Sequence, residues 1–191
     1  MVRMNDSERT QLRRRLLKML KDSFIYSTEA KFTLSSGRTS HFYIDSKKVT
    51  LDPEGSFLIG LLFLEKISEL EVDAIGGLTL GADPIVSVVS VLSFERGNPI
   101  PAFIIRKDPK PFGIHPYIEG NLRRESRVVV VDDVLTGGRS TERSIRLLEE
   151  AGSRVVKVIA LVDRKEAGKE HLEKLGYDVE SLFTVEDLLK A

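Results

Sequence analysis

The chain has 191 residues, and its 29 Lys and Arg balance 29 Asp and Glu, so the net charge at pH 7 is zero. This length suits one domain with a substantial core, here taken as residues 1–191, and the balanced charge argues against a general nucleic-acid binder. The absence of cysteine excludes disulfides, thiolate nucleophiles and cysteine metal sites, and the three histidines lack metal-ligand spacing. No apolar run reaches membrane-spanning length and the N-terminus is charged rather than signal-like, which predicts a cytoplasmic protein without a membrane partner.

Two helices are predicted in the first third of the chain. The first follows the N-cap candidates at residues 5–7, and its apolar residues recur at helical spacing as far as Leu20. The second begins at Asp52-Pro53, a capping aspartate followed by a proline in the first turn.

Between these helices, residues 31–48 show the pattern of a hairpin. Phe32 and Leu34 alternate with polar residues, residues 36–37 mark a turn, and residues 42–44 resume an extended pattern. Pattern alone leaves a plain surface hairpin, without a functional role, as one explanation of this segment.

The first core strand is predicted at residues 72–75. It leads into a glycine-bearing loop at residues 76–81 and then into a helix that begins near Asp83-Pro84. The loop is either a tight strand-to-helix connection or a seat for an anion, because backbone N–H groups at a helix N-terminus attract negative charge.

A basic segment follows the next predicted strand, at residues 101–106. Arg106, Lys107 and Lys110 lie within five residues, and a Pro- and Gly-containing loop continues to Gly120. A run of this kind is often a solvated surface. It also suits a mobile arm that closes over a highly anionic substrate and opens to release the product.

Residues 127–140 carry the strongest chemical signal. Four valines predict a strand buried on both faces of a parallel sheet, and Asp132 and Asp133 stand where that strand is expected to end. A loop at residues 136–139 follows, and Ser140 opens a helix. Ligands bind beyond the carboxyl ends of parallel strands, where glycines and a helix N-terminus can seat a phosphate. The acids suit sugar hydroxyls or a hydrated divalent cation, and the alternative is a solvated acidic turn before an ordinary capping serine.

The remaining elements continue the alternation of helix and strand. Buried strands are predicted at residues 155–162 and 179–183, each followed by a helix. Asp163-Arg164 follows the first of them on the ligand edge, and pattern alone leaves a structural ion pair between these two residues open. The fold class is therefore α/β, with a parallel sheet at its centre and a small N-terminal hood, mainly within residues 1–50, over the site.

The order of strand, two acids, Thr and Gly-rich loop resembles the phosphoribosyl pyrophosphate (PRPP) motif of the type I phosphoribosyltransferases. The resemblance implies their fold for the parallel-sheet core and implies that Asp132 and Asp133 contact the ribose hydroxyls. The loop after the acids would hold the 5-phosphate, and the loop after the first core strand would hold the pyrophosphate. The residues of these loops implied in PRPP binding are Val134, Leu135, Thr136, Gly137, Gly138, Arg139 and Ser140, together with Thr79, Leu80 and Gly81.

Three further segments resemble the orotate phosphoribosyltransferases: Phe-Thr-Leu-Ser-Ser-Gly-Arg with an aromatic pair, Arg-Lys-Asp-Pro-Lys, and Asp-Arg-x-Glu after a strand. The resemblance implies transfer of ribose 5-phosphate from PRPP to orotate, giving orotidine 5-monophosphate and pyrophosphate in pyrimidine biosynthesis. It implies Mg2+ held through PRPP and water rather than by the protein, and a homodimer in which residues 106–120 reach the neighbouring subunit. The implied catalytic residues are Lys110, Asp132 and Asp133, the further PRPP contacts are Arg106 and Lys107, and the orotate contacts are Thr136, Arg164, Ser35 and Tyr43.

The chain departs from the family pattern at several positions. Ser35 stands where many members have lysine, and Arg139 stands where a small residue is usual. Phe112 replaces a common loop histidine, and His115 is nearby but out of register. The pyrophosphate loop carries no lysine, so backbone N–H groups would supply more of its contacts. Two alternative functions stay open: a purine-type phosphoribosyltransferase and a non-enzymatic regulator that senses PRPP.

Overall fold

A computed structural model describes residues 4–29, 32–33, 39–111 and 116–190 of the chain. The strands are β1 (Phe24–Tyr26), β2 (Phe32–Thr33), β3 (Thr39–Ser40), β4 (Phe42–Ile44), β5 (Ala74–Leu78), β6 (Ala102–Ile105), β7 (Ile118–Gly120), β8 (Arg127–Leu135), β9 (Arg154–Asp163) and β10 (Val179–Thr184). The helices are α1 (Asp6–Asp22), α2 (Lys47–Thr50), α3 (Pro53–Lys66), α4 (Asp83–Glu95), α5 (Arg139–Glu150), α6 (Gly168–Lys174) and α7 (Val185–Lys190). None of the helices in these described ranges is long and apolar enough to cross a lipid bilayer.

Six strands form the central sheet, in the order β10-β9-β8-β5-β6-β7. All neighbouring pairs are parallel except β6 and β7, so the predicted α/β fold with a parallel sheet is confirmed. Strand β8 lies in the middle, and its valines alternate between two buried clusters. Val129 and Val131 pack with the cluster that includes α1, α3, α4 and α7, whereas Val128 and Val130 pack with the cluster that includes α5 and α6. Burial on both faces explains why the run lacks polar alternation.

Strand β8 continues through the acid pair, although the sequence analysis expected it to end there. Asp132 pairs with Ala160 of β9, and Leu135 pairs with Asp163 at the end of the same ladder. The backbone N–H of Arg164 then donates to the carbonyl of Leu135 at 2.9 Å. The long neighbouring strand β9 supplies these hydrogen bonds, so both carboxylates are held by a strand rather than by a turn.

Strand β5 also extends further than predicted, because Gly76 and Gly77 belong to it rather than to the loop. A Cβ on Gly76 would lie 2.3 Å from the ring of Phe103, and a Cβ on Gly77 would lie 2.1 Å from the carbonyl oxygen of Val131. These glycines therefore permit close packing inside the sheet. The connection between β5 and α4 shortens to residues 79–82.

The N-terminal hood, defined as β1 to β4, differs in its pairing from the single predicted hairpin. Phe32 pairs with Ser40 of β3 rather than with residues 42–44, and β4 pairs with β1, so that Phe24 lies opposite Ile44. The sequence analysis did not assign β1. Its pairing brings the rings of Phe24 and Phe42 to a centroid distance of 5.5 Å, an apolar contact that joins two short strands. The predicted turn at residues 36–37 and the predicted orotate contact Ser35 lie outside the described residues.

The predicted helix starts are confirmed at α1, α3 and α4. Asn5 caps α1 by accepting from the backbone N–H of Glu8, and Asp52 caps α3 by accepting from two backbone N–H groups. Helix α5 begins at Arg139, one residue earlier than expected, and its N-cap is Gly138 rather than Ser140. Gly138 has a φ of 76°, a left-handed conformation that glycine adopts without steric cost.

Candidate active site

The loops that follow β5, β6, β8 and β9 all lie at the carboxyl edge of the sheet. Parallel strands end at a common edge, so four segments that are distant in sequence meet there. They are the loop at residues 79–82, the basic segment from Arg106, the acid pair with the loop that follows it, and the segment from Arg164. The structure therefore brings the predicted site residues of these four segments to one edge, whereas Tyr43 lies on hood strand β4.

Asp132 and Asp133 point to opposite faces of the sheet because successive side chains alternate along a strand. The Asp132 carboxylate accepts a hydrogen bond from the Thr141 hydroxyl of α5 at 2.7 Å. The Asp133 carboxylate accepts from the Ser46 hydroxyl at 2.5 Å and from the Lys47 ammonium at 3.2 Å. Each acid is thus held by a different element.

The environment of Asp132 favours its protonated form. Burial raises the pKa of its carboxyl group to about 7, and the neighbouring charge of Asp133 adds to this effect. The hydrogen bond from Thr141 acts in the opposite direction, because it stabilises the carboxylate. A carboxyl group in this state can exchange a proton near neutral pH or accept a bond from a ligand hydroxyl.

The loop after β8 is formed by close backbone packing against the start of α6. A Cβ on Gly168 would lie 2.1 Å from the carbonyl oxygen of Thr136, and a Cβ on Gly138 would lie 2.9 Å from the carbonyl oxygen of Gly168. Among the described residues, no side chain caps α5 at Gly138, which leaves its first N–H groups for a ligand anion. Arg139, the first residue of α5, is exposed.

The loop at residues 79–82 lies directly against the acid pair. A Cβ on Gly81 would lie 2.1 Å from Oδ1 of Asp133, so only glycine allows this approach. The Thr79 hydroxyl donates to Asp83 at 2.7 Å, and the Leu80 side chain is exposed. The two loops assigned to the pyrophosphate and the 5-phosphate are therefore both adjacent to the strand that carries the acids.

Arg164 is 4% exposed, and its guanidinium group is held between the hood and its own loop. It donates to the Ser40 hydroxyl at 2.8 Å and to the Glu166 carboxylate at 2.9 Å. The alternative of an Asp163–Arg164 ion pair is wrong, because Asp163 instead accepts from the backbone N–H of Lys165. A buried arginine directed at the hood is consistent with a role beside a ligand rather than with a pair to its sequence neighbour.

The two aromatic residues of the hood, Phe42 and Tyr43, lie on opposite faces of β4. The Phe42 ring lies 4.2 Å from the Arg164 guanidinium carbon, whereas Tyr43 stacks on Phe32 at a centroid distance of 6.0 Å. Strand alternation places the two rings on opposite sides of β4. The structure thus brings Phe42 to Arg164, and the orotate contact assigned to Tyr43 stays a prediction.

The basic segment forms an arm between β6 and β7. Its predicted loop was expected to continue through Gly120, but residues 118–120 are strand β7, paired with β6. Glu119 holds two of its cations: Lys110 at 2.8 Å and Arg106 at 3.5 Å. The hydrogen bond from Lys110 is the main cause of a lowered pKa of Glu119. Phe112 and His115 lie outside the described residues.

Several contacts in the site had no signal in the sequence. Ser46 and Lys47 touch Asp133, Thr141 touches Asp132, and Ser40 touches Arg164. Each partner comes from another element, and the residue types are too common to indicate a site by themselves. Only Glu166, two residues after Arg164, belongs to the local Asp-Arg-x-Glu pattern and could have been identified.

The side chains at this edge supply only part of the ligands that a hard cation such as Mg2+ requires. The acid pair supplies carboxylate oxygens of the kind that Mg2+ prefers. Within the described part of the chain, however, no group of three or more His, Cys, Asp or Glu side chains is placed to hold a metal ion. A metal at this edge would therefore need oxygen atoms from a ligand and from water.

Comparison with known proteins agrees with this geometry. Residues 103–185 match the family model of the phosphoribosyl transferase domain. The chain is 43% identical to an Aquifex aeolicus orotate phosphoribosyltransferase, over 93% of this chain and 97% of the relative. It is 46% identical to the orotate phosphoribosyltransferase of Nostoc sp. strain PCC 7120, over 93% of this chain and 85% of the relative. The chain belongs to the orotate phosphoribosyltransferase family.

A solved structure supports the same assignment. The Mycobacterium tuberculosis orotate phosphoribosyltransferase in complex with PRPP superposes with a TM-score of 0.76 at 33% identity. The match covers 93% of this chain and 98% of that chain. The similarity thus extends over most of both chains.

The raised pKa of Asp132 predicts a pH-dependent effect of Asp132→Asn on stability. An unfolded aspartate has a pKa of about 3.9, so ionisation of Asp132 costs stability as pH rises from about 4 to about 7. The asparagine variant avoids this cost. We expect urea unfolding of the ligand-free variant to require more denaturant than the wild type at pH 8, and the difference to shrink toward pH 5.

Asp108→Asn is the matched control for this measurement, because Asp108 is exposed. Its effect on the urea midpoint should be small and should not vary over the same pH range. Equal or lower stability of Asp132→Asn at pH 8 would contradict the assignment of a buried, proton-binding carboxyl group.

Proposed function

We propose that the protein transfers ribose 5-phosphate from PRPP to orotate and releases orotidine 5-monophosphate and pyrophosphate, a step in pyrimidine nucleotide synthesis. The observation that carries the proposal is the position of Arg164, a buried guanidinium one loop away from the acid pair of the PRPP motif. Orotate differs from uracil by a carboxylate, and a buried site must compensate that charge. A guanidinium can do so with two parallel hydrogen bonds.

The reaction forms a bond from orotate N1 to ribose C1 while the bond from C1 to the pyrophosphate oxygen breaks, and the proton of N1 leaves to water or to the released pyrophosphate. Positive charge develops on the ribose ring and negative charge on the leaving pyrophosphate, so the protein acts chiefly by positioning and electrostatics. Asp132 and Asp133 would accept bonds from the ribose hydroxyls. The N-terminus of α5 with residues 134–140 would hold the 5-phosphate, and residues 79–81 would hold the pyrophosphate.

The base would lie between Arg164 and the hood. Ser40 and Glu166 fix the guanidinium, so it can present its remaining donors without losing rotamer freedom on binding. Thr136 belongs to the loop that would hold the 5-phosphate of PRPP, and it would also contact orotate. Ser35 and Tyr43 are the further orotate contacts that the family pattern implies.

Mg2+ is the cofactor we propose, held through PRPP oxygens and water, with no direct protein ligand. When bound, it would neutralise charge on the pyrophosphate leaving group. The acid pair would face this charge through water. The N–H groups of residues 79–81 would face it as well.

The basic arm would complete the site in a homodimer. In the described chain Arg106 and Lys110 are bound to Glu119 at the sheet edge, next to the antiparallel strand β7. An arm beside an edge strand would extend to a neighbouring subunit, where Arg106, Lys107 and Lys110 would contact pyrophosphate. We also propose that residues 1–191 form one domain and that the protein is cytoplasmic.

Turnover with a panel of bases tests the function against its alternatives. Steady-state assays with PRPP would compare orotate, uracil, adenine and hypoxanthine, with and without Mg2+. We expect turnover with orotate that depends on Mg2+ and little or none with the other bases. Turnover of a purine would favour a purine-type enzyme, and PRPP binding without turnover of any base would favour a regulator.

Arg164 should select the base without affecting PRPP. Because a charge-assisted hydrogen bond is worth about 1.5–3 kcal/mol, Arg164→Ala should raise the KM for orotate by about tenfold or more. The KM for PRPP should stay within about twofold, a change worth less than 0.5 kcal/mol. Arg164→Lys should recover only part of the loss, since an ammonium lacks the guanidinium fork.

Lys165→Gln is the control, because Lys165 is the neighbouring cation and its side chain is 40% exposed. It should leave both KM values near those of the wild type. If Arg164→Ala weakens both substrates equally, or lowers only the melting temperature, Arg164 is a structural residue and does not select the base.

Subunit mixing tests whether the basic arm acts on the partner. Lys110→Ala and the double variant Asp132→Asn, Asp133→Asn should each be inactive as homodimers. If the arm acts in trans, half of the sites in each heterodimer are free of lesions, and an equal mixture should recover about a quarter of wild-type activity. Native mass spectrometry would establish that heterodimers form. Heterodimers without recovered activity would show that the arm acts within its own subunit.

A further inference from the structure

Lys47 contacts the acid pair but has no assigned role. It is the first residue of α2, directly after the hood, and its side chain is 46% exposed. Its ammonium lies 3.2 Å from Oδ2 of Asp133, and the Ser46 hydroxyl lies 2.5 Å from the same oxygen. The hood thereby places a flexible cation on a carboxylate that is proposed to bind ribose.

The other oxygen of the same carboxylate faces the pyrophosphate loop. A Cβ on Gly81 would lie 2.1 Å from Oδ1 of Asp133, so the loop backbone packs against that atom. Lys47 and the loop at residues 79–82 therefore lie on two sides of one carboxyl group. That loop consists of Thr79, Leu80, Gly81 and Ala82 and carries no cationic side chain.

The negative charges at this edge require a cation near the bound ligand. Two carboxylates face a ligand that carries several negative charges, so an unscreened site would repel it. Within the described residues, Arg106 and Lys110 are engaged by Glu119, and Arg164 is engaged by Glu166. Lys47 is bound to the acid pair itself, and its half-exposed stem leaves the ammonium free to move toward a bound ligand.

We propose that Lys47 is a further PRPP-binding residue, which rests on the function proposed above. In the ligand-free protein its ammonium neutralises Asp133. When Asp133 accepts a ribose hydroxyl, the ammonium turns to the pyrophosphate oxygens and supplies the cation that residues 79–82 lack. Ser46 keeps the carboxylate in place during this exchange. A lysine suits the role because its ammonium acts as a point charge on a long, flexible stem.

The test compares two fragments of PRPP as ligands in calorimetric titrations at fixed Mg2+ concentration. Inorganic pyrophosphate reports on the contact with Lys47, and ribose 5-phosphate reports on the acid pair and the 5-phosphate loop. Lys47→Gln should weaken pyrophosphate binding about tenfold, the effect of one charge-assisted bond, and leave ribose 5-phosphate binding within about twofold. Lys47→Arg should restore most of the loss because it restores the charge.

Lys48→Gln is the matched control, since Lys48 is the exposed neighbour of Lys47 on the same helical turn. It should bind both fragments as the wild type does. Lys47→Met, which also removes the charge, provides the same comparison if the glutamine variant does not fold. Unchanged pyrophosphate binding in a folded variant overturns the proposal, as does equal weakening of both fragments, which would mean that Lys47 only positions Asp133.

The outcome is separable from that of the proposed function. If wild-type protein converts orotate and PRPP while Lys47→Gln binds pyrophosphate normally, only the role of Lys47 fails. If the wild type binds neither PRPP nor pyrophosphate, the proposed function fails and the role of Lys47 fails with it.

Discussion

The burial of strand β8 on both faces is the constraint on which the site depends. Val128 and Val130 pack on one face, and Val129 and Val131 pack on the other. The same alternation continues into Asp132 and Asp133, because the ladder to β9 runs on to Leu135. The two acids therefore point to opposite sides, where helix α5 receives one and the segment after the hood receives the other. A strand that ended at Val131 would leave both carboxylates in solvent.

Close backbone packing and charge act together at this edge. Gly81 allows its loop to lie against Asp133, and Gly168 allows its loop to lie against Thr136, so both loops pack closely at the end of β8. Asp132 is buried next to a second acid. This environment is unfavourable for its charged form and raises its pKa. Hydrogen bonds from the Thr141 hydroxyl and from the backbone N–H groups of Val134 and Asp133 offset part of this cost. A ligand with ribose hydroxyls would supply further donors to the same carboxylates.

The differences between expectation and structure have a common cause. The local pattern predicts that β8 ends at its first charged residue and that Gly76 lies in a loop, because charge and glycine are local signals for turns. In the folded chain, the neighbours Ala160 and Phe103 keep both segments in the sheet. The hood shows the same effect, since Phe42 pairs with Tyr26 of a strand that the local pattern did not mark.

Local pattern by itself determined the alternation of helices and strands, the acid pair and glycine loop after the valine run, and the position of Arg164 after a buried strand, whereas the PRPP motif was implied by a family resemblance. Periodicity and caps encode such features within a few residues. Only the tertiary structure decided that Ser40 and Phe42 meet Arg164, that Thr141 meets Asp132, and that Lys47 meets Asp133. These contacts follow from a strand order that is not the order of the chain and from a hood folded over the sheet edge. The energies of these contacts depend on residues that are near in space but distant in sequence. The local spacing of residue types therefore does not indicate them.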